Sequence, residues 1–295
     1  MKPLQIVELL TLAAIWGGSF LFMRIAAPEL GPVWLIEVRV LLAGLVLLPL
    51  LMKQGLWQQL CRRWRPLLVV GLLNSALPFC LLAFASLTLP AGMTAILNGT
   101  APFFGVVVAY VWLQEKLTLS RILGLCLGFA GVVVLVGLRE TAITVSFGLA
   151  IAAGLAAALM YAIAAPYIRL TLEGVPSLVF ATGSQLGATV CLLPLLPFTQ
   201  PDRFPSGTAV VAVVALAILS TSLAYILYFR LIRGVGSTRA LTVTYLIPLF
   251  AMVWGAILLK EAITVSMIIG GGLILLGTAI ANGFLKLPFN LTPKS

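Results

Sequence analysis

Long apolar stretches alternate with short segments of charged, proline or glycine residues along the whole sequence. A helix that crosses the hydrocarbon core of a bilayer needs about 20 apolar residues. The stretch between Pro66 and Gln114 carries no charge and is too long for one such helix, but turn-forming residues at 88–92 divide it. The pattern therefore predicts an all-α integral membrane protein with ten transmembrane helices. Their predicted positions are near 5–27, 33–52, 66–87, 91–113, 119–138, 145–168, 175–198, 208–230, 236–259 and 264–285.

The composition agrees with a chain that lies almost entirely in a membrane. Hydrophobic residues make up 62% of the sequence and charged residues 9%, whereas a soluble domain carries about 25% charged residues. The absence of histidine excludes catalysis and metal binding by imidazole. The four cysteines show no C-x-x-C spacing, which indicates packing rather than a metal site or a disulfide. We expect no metal, no cofactor and no enzymatic activity.

The positive charges are distributed unequally over the predicted loops. Thirteen of the 18 lysines and arginines fall on the side of the N-terminus, and only Arg139, Arg203 and Lys260 fall on the opposite side. Because these residues concentrate on the cytoplasmic side of membrane proteins, both termini are predicted to be cytoplasmic. The same bias explains the net charge of +10 without a nucleic-acid partner. Residues 53–65 alternate basic, amide and tryptophan side chains, which predicts a short helix at the cytoplasmic interface.

An internal repeat relates the two halves of the sequence at an offset of 146 residues. It matches the fourth and fifth predicted helices to the ninth and tenth without a gap. Each half contains an odd number of helices, so the two halves would enter the membrane in opposite directions. We predict two inverted five-helix repeats, residues 1–140 and 141–295, an arrangement suited to alternating access. The identities pair Pro102 with Pro248, Phe104 with Phe250, Glu115 with Glu261, Thr118 with Thr264, Gly124 with Gly270 and Gly131 with Gly277.

Three further features accompany this repeat: the Trp-Gly-Gly-Ser-Phe cluster at 16–20, Arg39 in the second helix, and the Pro…Glu-x-x-Thr arrangements that contain Glu115 and Glu261. Together they resemble the EamA-type branch of the drug/metabolite transporter superfamily over essentially the whole chain. Within this branch the sequence is most similar to bacterial amino-acid and metabolite exporters, including aromatic amino-acid exporters. The resemblance implies an inner-membrane protein whose central cavity is lined mainly by the first, third, fourth, sixth, eighth and ninth helices.

Polar side chains inside the apolar helices are the candidates for a substrate site, because each is costly in hydrocarbon unless it serves packing, a cavity or a pathway. Buried tyrosine and tryptophan combine an apolar ring with one polar group, which suits an amphipathic metabolite. The alternative interpretation is helix packing, since serine and threonine also link transmembrane helices. The candidate pocket residues are Trp16, Asn74, Ser75, Phe79, Asn98, Tyr161, Tyr225, Tyr228, Thr244 and Tyr245.

Four charged residues lie within the first two predicted helices. Glu8 and Arg24 are near the ends of the first helix and are interpreted as interface anchors. Glu37 and Arg39 are two residues apart, face different sides of the second helix and are not each other's helical partners. Glu37 is a candidate for proton coupling, or alternatively forms an ion pair with Arg24 or Arg39. Arg39 matches the arginine of the family and is expected to order the outer end of the cavity.

Proline and glycine mark two further symmetric features. Pro102 and Pro248 occupy equivalent mid-helix positions, where each removes a backbone donor and is expected to kink its helix and to expose backbone polarity to a cavity. Such a pair suits a rocking gate. The glycines at 124, 128 and 131 form a smooth ridge, and their expected partners are the equivalent glycines of the tenth helix. A dimer interface would use the same surface.

These features predict a secondary transporter that exports small organic metabolites, with amino acids, aromatic or otherwise apolar, as the expected substrates. The alternative is a passive channel or facilitator for small amphipathic solutes, and a membrane enzyme would need a nucleophile and a base that the sequence does not bring together. The expected location is the bacterial inner membrane. The expected partners are a small-molecule substrate and the lipid bilayer, and the chain is expected to be a monomer or a weak homodimer.

Overall fold

The computed structural model describes residues 1–115, 117–137 and 144–285, apart from the side chains of Ser237 and Thr238. Within these ranges the chain is helical and contains no strand, as the hydrophobic pattern predicts. The helices are α1 (Pro3–Lys53), α2 (Trp57–Arg62), α3 (Trp64–Ala85), α4 (Ala91–Trp112), α5 (Leu119–Gly137), α6 (Val145–Thr171), α7 (Ser177–Phe198), α8 (Gly207–Val235), α9 (Val243–Leu259) and α10 (Val265–Ala281).

Helix α1 contains the first two predicted spans, separated by a bend at a single residue. Its 51 residues are helical except at Gly31, where φ is 70° and ψ is 156°, a conformation that glycine adopts without steric cost. The predicted spans therefore extend closer to each other than their sequence limits of 27 and 33. We refer to residues 3–30 as the first arm and to residues 32–53 as the second arm.

The two arms lie side by side against α8. The hydroxyl of Ser220 donates to the carbonyl of Ile15 in the first arm, and the hydroxyl of Ser222 donates to the carbonyl of Ala43 in the second arm. Seven of the helices, including α1, are long and apolar enough to cross a membrane, and α9 and α10 are shorter apolar helices. With the two arms counted separately, the described part of the chain has ten apolar helical segments in the predicted order. That each of them crosses the bilayer stays a prediction.

The 146-residue offset reappears in the local backbone geometry. A π-helical segment interrupts α3 at Leu72–Ala76, and another interrupts α8 at Ile218–Leu223. Among the non-glycine residues described, only Gln114 and Lys260 have positive φ, at 54° and 55°, and both follow the equivalent helices α4 and α9. Departures from regular α-helical geometry thus recur at equivalent positions of the two halves. The predicted limit of the two repeats at 140 and Arg139 lie outside the described residues.

The equivalent helices α5 and α10 pack against each other in opposite directions. A Cβ atom added at Gly124 would lie 2.6 Å from the carbonyl oxygen of Gly277, and one added at Gly131 would lie 2.7 Å from that of Gly270. Increasing residue numbers in one helix therefore meet decreasing numbers in the other. The predicted contact between the two glycine ridges is confirmed, and its antiparallel sense is the one that inverted halves require.

Other contacts between the halves also occur in pairs that the repeat relates. The first arm of α1 contacts α8 and α9, whereas α6, its equivalent, packs against α3 and α4. At one of these crossings Gly17 of the Trp-Gly-Gly-Ser cluster meets the backbone of α9, because an added Cβ atom would lie 2.9 Å from the amide nitrogen of Ala251. The indole of Trp254 donates to the carbonyl of Ala14 nearby, at 3.0 Å. The cluster at 16–20 therefore holds the first arm close to α9.

Apolar side chains also cover much of the outer surface of the helices. Val133, Val211 and Ile257 are each more than 60% exposed, which is costly in water and favourable in hydrocarbon. The short helix α2 lies in the segment predicted to rest at the cytoplasmic interface, and its Trp57 is exposed. These surfaces agree with a multi-pass membrane protein.

The contact between α5 and α10 is expected to limit stability. Gly270→Ala places a methyl group 2.7 Å from the carbonyl oxygen of Gly131, so it should destabilise the protein by about 1–3 kcal/mol through overpacking. Gly272→Ala in the same helix is the matched control, because an added Cβ atom there has no neighbour within 4 Å. The midpoint of thermal unfolding in detergent should fall for the first variant and not for the second. Equal midpoints for the two variants would contradict this packing.

Candidate substrate site

A layer of polar side chains lies where the two π-helical segments meet the second arm of α1 and helix α7. The Nε atom of Arg39 donates to Oγ1 of Thr221 at 3.0 Å, and the Nε2 atom of Gln185 donates to Oγ of Ser75 at 3.0 Å. Both donors and both acceptors are related by the 146-residue offset. Each half therefore supplies a donor to a hydroxyl group in the π-helical segment of the other half. We call Arg39, Ser75, Gln185 and Thr221 the polar layer.

Hydroxyl groups explain why one π-helical segment forms where it does. In α8 the hydroxyl of Thr221 donates to the carbonyl of Leu216, and that of Ser222 donates to the carbonyl of Ala217. Each carbonyl is five residues before its donor, which is the spacing of a π turn. A π-helical segment exposes polar groups that a regular helix would hide, and such segments occur frequently at functional sites. The sequence Ser-Thr-Ser at 220–222 thus builds the local geometry that receives Arg39.

Arg39 is a buried cation without an anionic partner among the described residues. It is 4% exposed, and no carboxylate of the described chain lies within 4.0 Å of its nitrogen atoms. Its guanidinium lies 3.6 Å from the centre of the Phe79 ring, a cation–π contact. Its charge also acts on the hydroxyl groups of Tyr161 and Tyr225. The structure places Arg39 between the halves, and that it orders the outer end of a cavity stays a prediction.

Aromatic rings continue from this layer along α8. Tyr225 stacks on Phe229 with ring centres 5.7 Å apart, and Tyr228 lies 5.9 Å from the same ring. Trp16 of the first arm lies 5.1 Å from Tyr228. The structure therefore brings together Trp16, Tyr225 and Tyr228, which the sequence analysis had selected separately. Tyr161 packs against the adjoining apolar core.

Glu37 lies in the same arm as Arg39 but is separate from the polar layer. It is 2% exposed, and neither carboxylate oxygen has a hydrogen-bond partner within the described chain. The thiol of Cys80 in α3 interacts with it. An ion pair with Arg24 or Arg39, the alternative left open by the sequence, is not found among the described residues. Glu37 is thus a buried carboxyl group that the fold does not neutralise with a cation.

Arg24 and Glu261 form a cross-link between the halves. Nη1 of Arg24 donates to the carbonyls of Ser86 and Leu87 at 2.7 and 2.8 Å, and its Nε lies 3.5 Å from Oε1 of Glu261. Oε2 of Glu261 accepts a hydrogen bond from the backbone amide of Ala91 at the start of α4, at 2.9 Å. Arg24 is therefore more than an interface anchor, and Glu261 orders the turn before α4.

Glu8 makes a second cross-link of this kind. Its Oε1 lies 2.8 Å from Nε of Arg230 in α8. The interpretation of Glu8 as an interface anchor missed this contact, because the sequence did not reveal which helix end lies beside it. The first arm is thus tied to the other half of the chain near both of its ends.

The prolines of the repeat differ in their local effect. Helix α4 is interrupted between Asn98 and Ala101, immediately before Pro102. Pro248 lies inside α9, which is continuous through the proline. Helix α4 is therefore interrupted just before its proline, whereas α9 continues past its own, and that the two prolines kink their helices stays a prediction.

In the segment that contains α9, the helix is broken further from the proline than in α4. A single helical turn, Ser237–Ala240, ends before α9 begins at Val243. The hydroxyl of Thr242 donates to the carbonyl of Arg239 at 2.7 Å and so satisfies one backbone group at this break. Both equivalent segments are thus broken on the N-terminal side of their prolines, at positions that differ by a few residues.

The remaining candidate pocket residues have mainly local surroundings. Thr244 donates to the carbonyl of Leu241, and Tyr245 accepts a hydrogen bond from Asn282 of the segment after α10. Asn98 has a buried carbonyl oxygen without a partner in the described chain, and Asn74 is half-buried in the π-helical segment of α3. That these four residues line the pocket stays a prediction.

Gln185 is the residue of the polar layer that sequence reasoning missed. It is fully buried, and its Oε1 atom has no hydrogen-bond partner within the described ranges. Two signals could have found it: it is the only amide side chain in α7, and it lies 146 residues after Arg39. Residue identities alone do not reveal it, because arginine and glutamine do not match.

Comparison with known proteins agrees with this architecture. The model of the EamA-like transporter family matches residues 4–137 and again residues 148–283. The uncharacterized transporter YvbV of Bacillus subtilis (strain 168) is 26% identical over 271 residues, which cover 91% of this chain and 88% of that protein.

Two further relatives have names that mention substrates. The S-adenosylmethionine/S-adenosylhomocysteine transporter of Chlamydia trachomatis serovar L2 is 27% identical, with 90% of this chain and 85% of that protein covered. The probable terminal-alkyne amino-acid exporter of Streptantibioticus cattleyicolor is 24% identical, with 96% and 95% covered. The family and these relatives are transporters rather than enzymes. With both matches spanning most of its helices, the chain belongs to the EamA-like transporter family.

Proposed function

We propose that this transporter is a secondary carrier that exports small organic metabolites, and that amino acids with apolar or aromatic side chains are its substrates. Two named relatives support an α-amino acid as substrate, because terminal-alkyne amino acids and S-adenosylmethionine both contain an α-amino carboxylate. The rings of Trp16, Tyr225 and Tyr228 provide an apolar surface with polar groups at its edge, which suits an amphipathic molecule.

The pair of symmetric contacts in the polar layer supports a carrier mechanism. Arg39 bonds to Thr221, and Gln185 bonds to Ser75, so each half holds the π-helical segment of the other. When two inverted halves rock against each other, the roles of these two contacts are exchanged. A site between them faces one side of the membrane and then the other, which is alternating access.

The proposed location is the bacterial inner membrane, with both termini in the cytoplasm. The excess of lysine and arginine in the loops on the side of the N-terminus supports this orientation. We propose that residues 1–140 and 141–295 form the two inverted repeats. The protein would act as a monomer or a weak homodimer, because the glycine ridges of α5 and α10 are already occupied by each other.

Glu37 is proposed to couple transport to protons. An ionised carboxylate that is buried without a partner is strongly disfavoured, so in this conformation Glu37 would hold its proton. The thiol of Cys80 in α3 interacts with Glu37, and Arg39 lies two residues further along the same arm. Exposure of Glu37 in the opposite conformation would release the proton, and each cycle could then exchange a proton for a substrate molecule.

Counterflow distinguishes a carrier from a channel. Unlabelled amino acid inside proteoliposomes should accelerate the entry of labelled amino acid, since only a carrier returns its site in a loaded form. Trp16→Ala and Tyr225→Ala should each reduce this flux about tenfold, through the loss of roughly 1.4 kcal/mol of binding free energy. Trp112→Ala and Tyr110→Ala are matched controls on exposed surfaces and should leave it unchanged. Entry that does not respond to internal substrate would indicate a passive channel.

Proton coupling predicts a specific effect of Glu37→Gln. Acidification of the solution on the outer face should speed export by the intact protein several-fold, and the variant should export at a rate independent of the pH gradient. Glu173→Gln, which removes an exposed carboxylate, is the control and should retain the response. The measurement is efflux of labelled amino acid from vesicles with an imposed pH gradient. An undiminished pH response of Glu37→Gln would exclude this role.

A further inference from the structure

We propose that Arg39 binds the carboxylate of the transported molecule, so that the substrates are carboxylates with an apolar or aromatic body. This inference rests on the proposed carrier function and specifies the chemistry of its site. The observation behind it is a guanidinium group that the fold buries between the two halves and leaves without an anion among the described residues.

The charge of Arg39 is not balanced by its surroundings. Arginine remains ionised in proteins, and burying such a cation is costly unless an anion accompanies it. The groups around Arg39 include the neutral hydroxyl of Thr221, the ring of Phe79, the phenols of Tyr161 and Tyr225 and the thiol of Cys80. A carboxylate from the substrate would supply the missing charge and could accept two parallel hydrogen bonds from the planar guanidinium.

The repeat provides an internal comparison for this residue. Gln185 occupies the equivalent position in the other half and makes the equivalent hydrogen bond to a hydroxyl group, at the same distance of 3.0 Å. A neutral donor is therefore sufficient to join the second helix of one half to the π-helical segment of the other. The positive charge of Arg39 exceeds what this contact needs, which points to a function outside the scaffold.

The groups around the polar layer fit the remainder of such a molecule. Ser75 interacts with both Gln185 and Tyr225 and so connects the two sides of the layer. The free Oε1 atom of Gln185 can accept a hydrogen bond from an N–H group. The ring of Phe79 lies against the guanidinium, and the phenol of Tyr225, which interacts with its charge, is stacked on Phe229. An α-amino acid with an apolar side chain has groups that match each of these features.

Comparison of acids with their carboxamides tests this inference. The probes are the standard amino acids and the corresponding amides, in which a neutral group of similar size replaces the carboxylate. Affinity is measured through the ligand-induced shift of the thermal unfolding midpoint of the purified full-length protein. We expect the intact protein to bind at least one acid about tenfold or more tightly than its amide, as loss of a charged hydrogen-bond partner implies.

Arg39→Gln is the decisive variant, because it copies the residue of the other half and can still donate to Thr221. It should weaken binding of the acid about tenfold or more and change binding of the amide less than twofold. Arg39→Lys keeps the charge and should retain part of the preference for the acid. If Arg39→Gln does not fold, the comparison of acid with amide in the intact protein decides alone.

Three results would overturn the inference: equal affinity of the intact protein for acid and amide, an equal loss of both in Arg39→Gln, or no binding of any acid. Failure of the carrier proposal has a different signature. In that case no probe produces counterflow in proteoliposomes, whatever its charge. Counterflow with equal rates for acid and amide would leave the carrier function intact and remove the role of Arg39.

Discussion

Hydrogen-bonding groups inside the apolar helices have no water to satisfy them, so each depends on another part of the chain. This constraint explains where the irregularities of the structure occur. The π-helical segments of α3 and α8 present hydroxyl groups, and the side chains of Arg39 and Gln185 come from the opposite half to reach them. The same contacts that satisfy polar groups therefore hold the two halves together at their centre.

At the polar layer the backbone of the two halves is symmetric, but the side chains are not. The backbone repeats closely, in its π-helical segments and in the two glycine ridges, because both halves must pack against each other in the same way. The side chains do not repeat at the polar layer, where one half contributes a cation and the other an amide. Features common to both halves serve packing, whereas the charge of Arg39 and the carboxyl group of Glu37 have no partner of opposite charge among the described residues, and we propose that they serve the substrate and protons.

Much of the fold could be predicted from the sequence, because apolar periodicity and an exact offset constrain helices directly. The contact between the glycine ridges was predicted correctly, since small residues at helical spacing leave few other uses. The turn between the first two spans was predicted less accurately, because a bend at the single residue Gly31 replaces the longer turn that was expected. The ion pairs of Glu8 and Arg24 were missed because their partners lie far away in the sequence.

The candidate site was only partly predictable for a related reason. Aromatic residues such as Trp16 and Tyr228 could be selected by type, but their meeting depends on how α1 crosses α8. Gln185 gave no identity in the repeat and was overlooked, although the same offset relates it to Arg39. Side chains that differ between the halves carry little signal in self-comparison, and the two donors of the polar layer, Arg39 and Gln185, are of this kind.

The central claim is that equivalent positions of the two halves face opposite sides of the membrane. Gln54 and Gln200 are exposed, identical and separated by the 146-residue offset. Gln54→Cys and Gln200→Cys, each in a chain whose four native cysteines are replaced by serine, can be labelled in intact cells with a membrane-impermeant maleimide. We predict that the cysteine at 200 reacts directly and the cysteine at 54 reacts only after the membrane is permeabilised. Labelling of both from the same side would contradict two inverted halves.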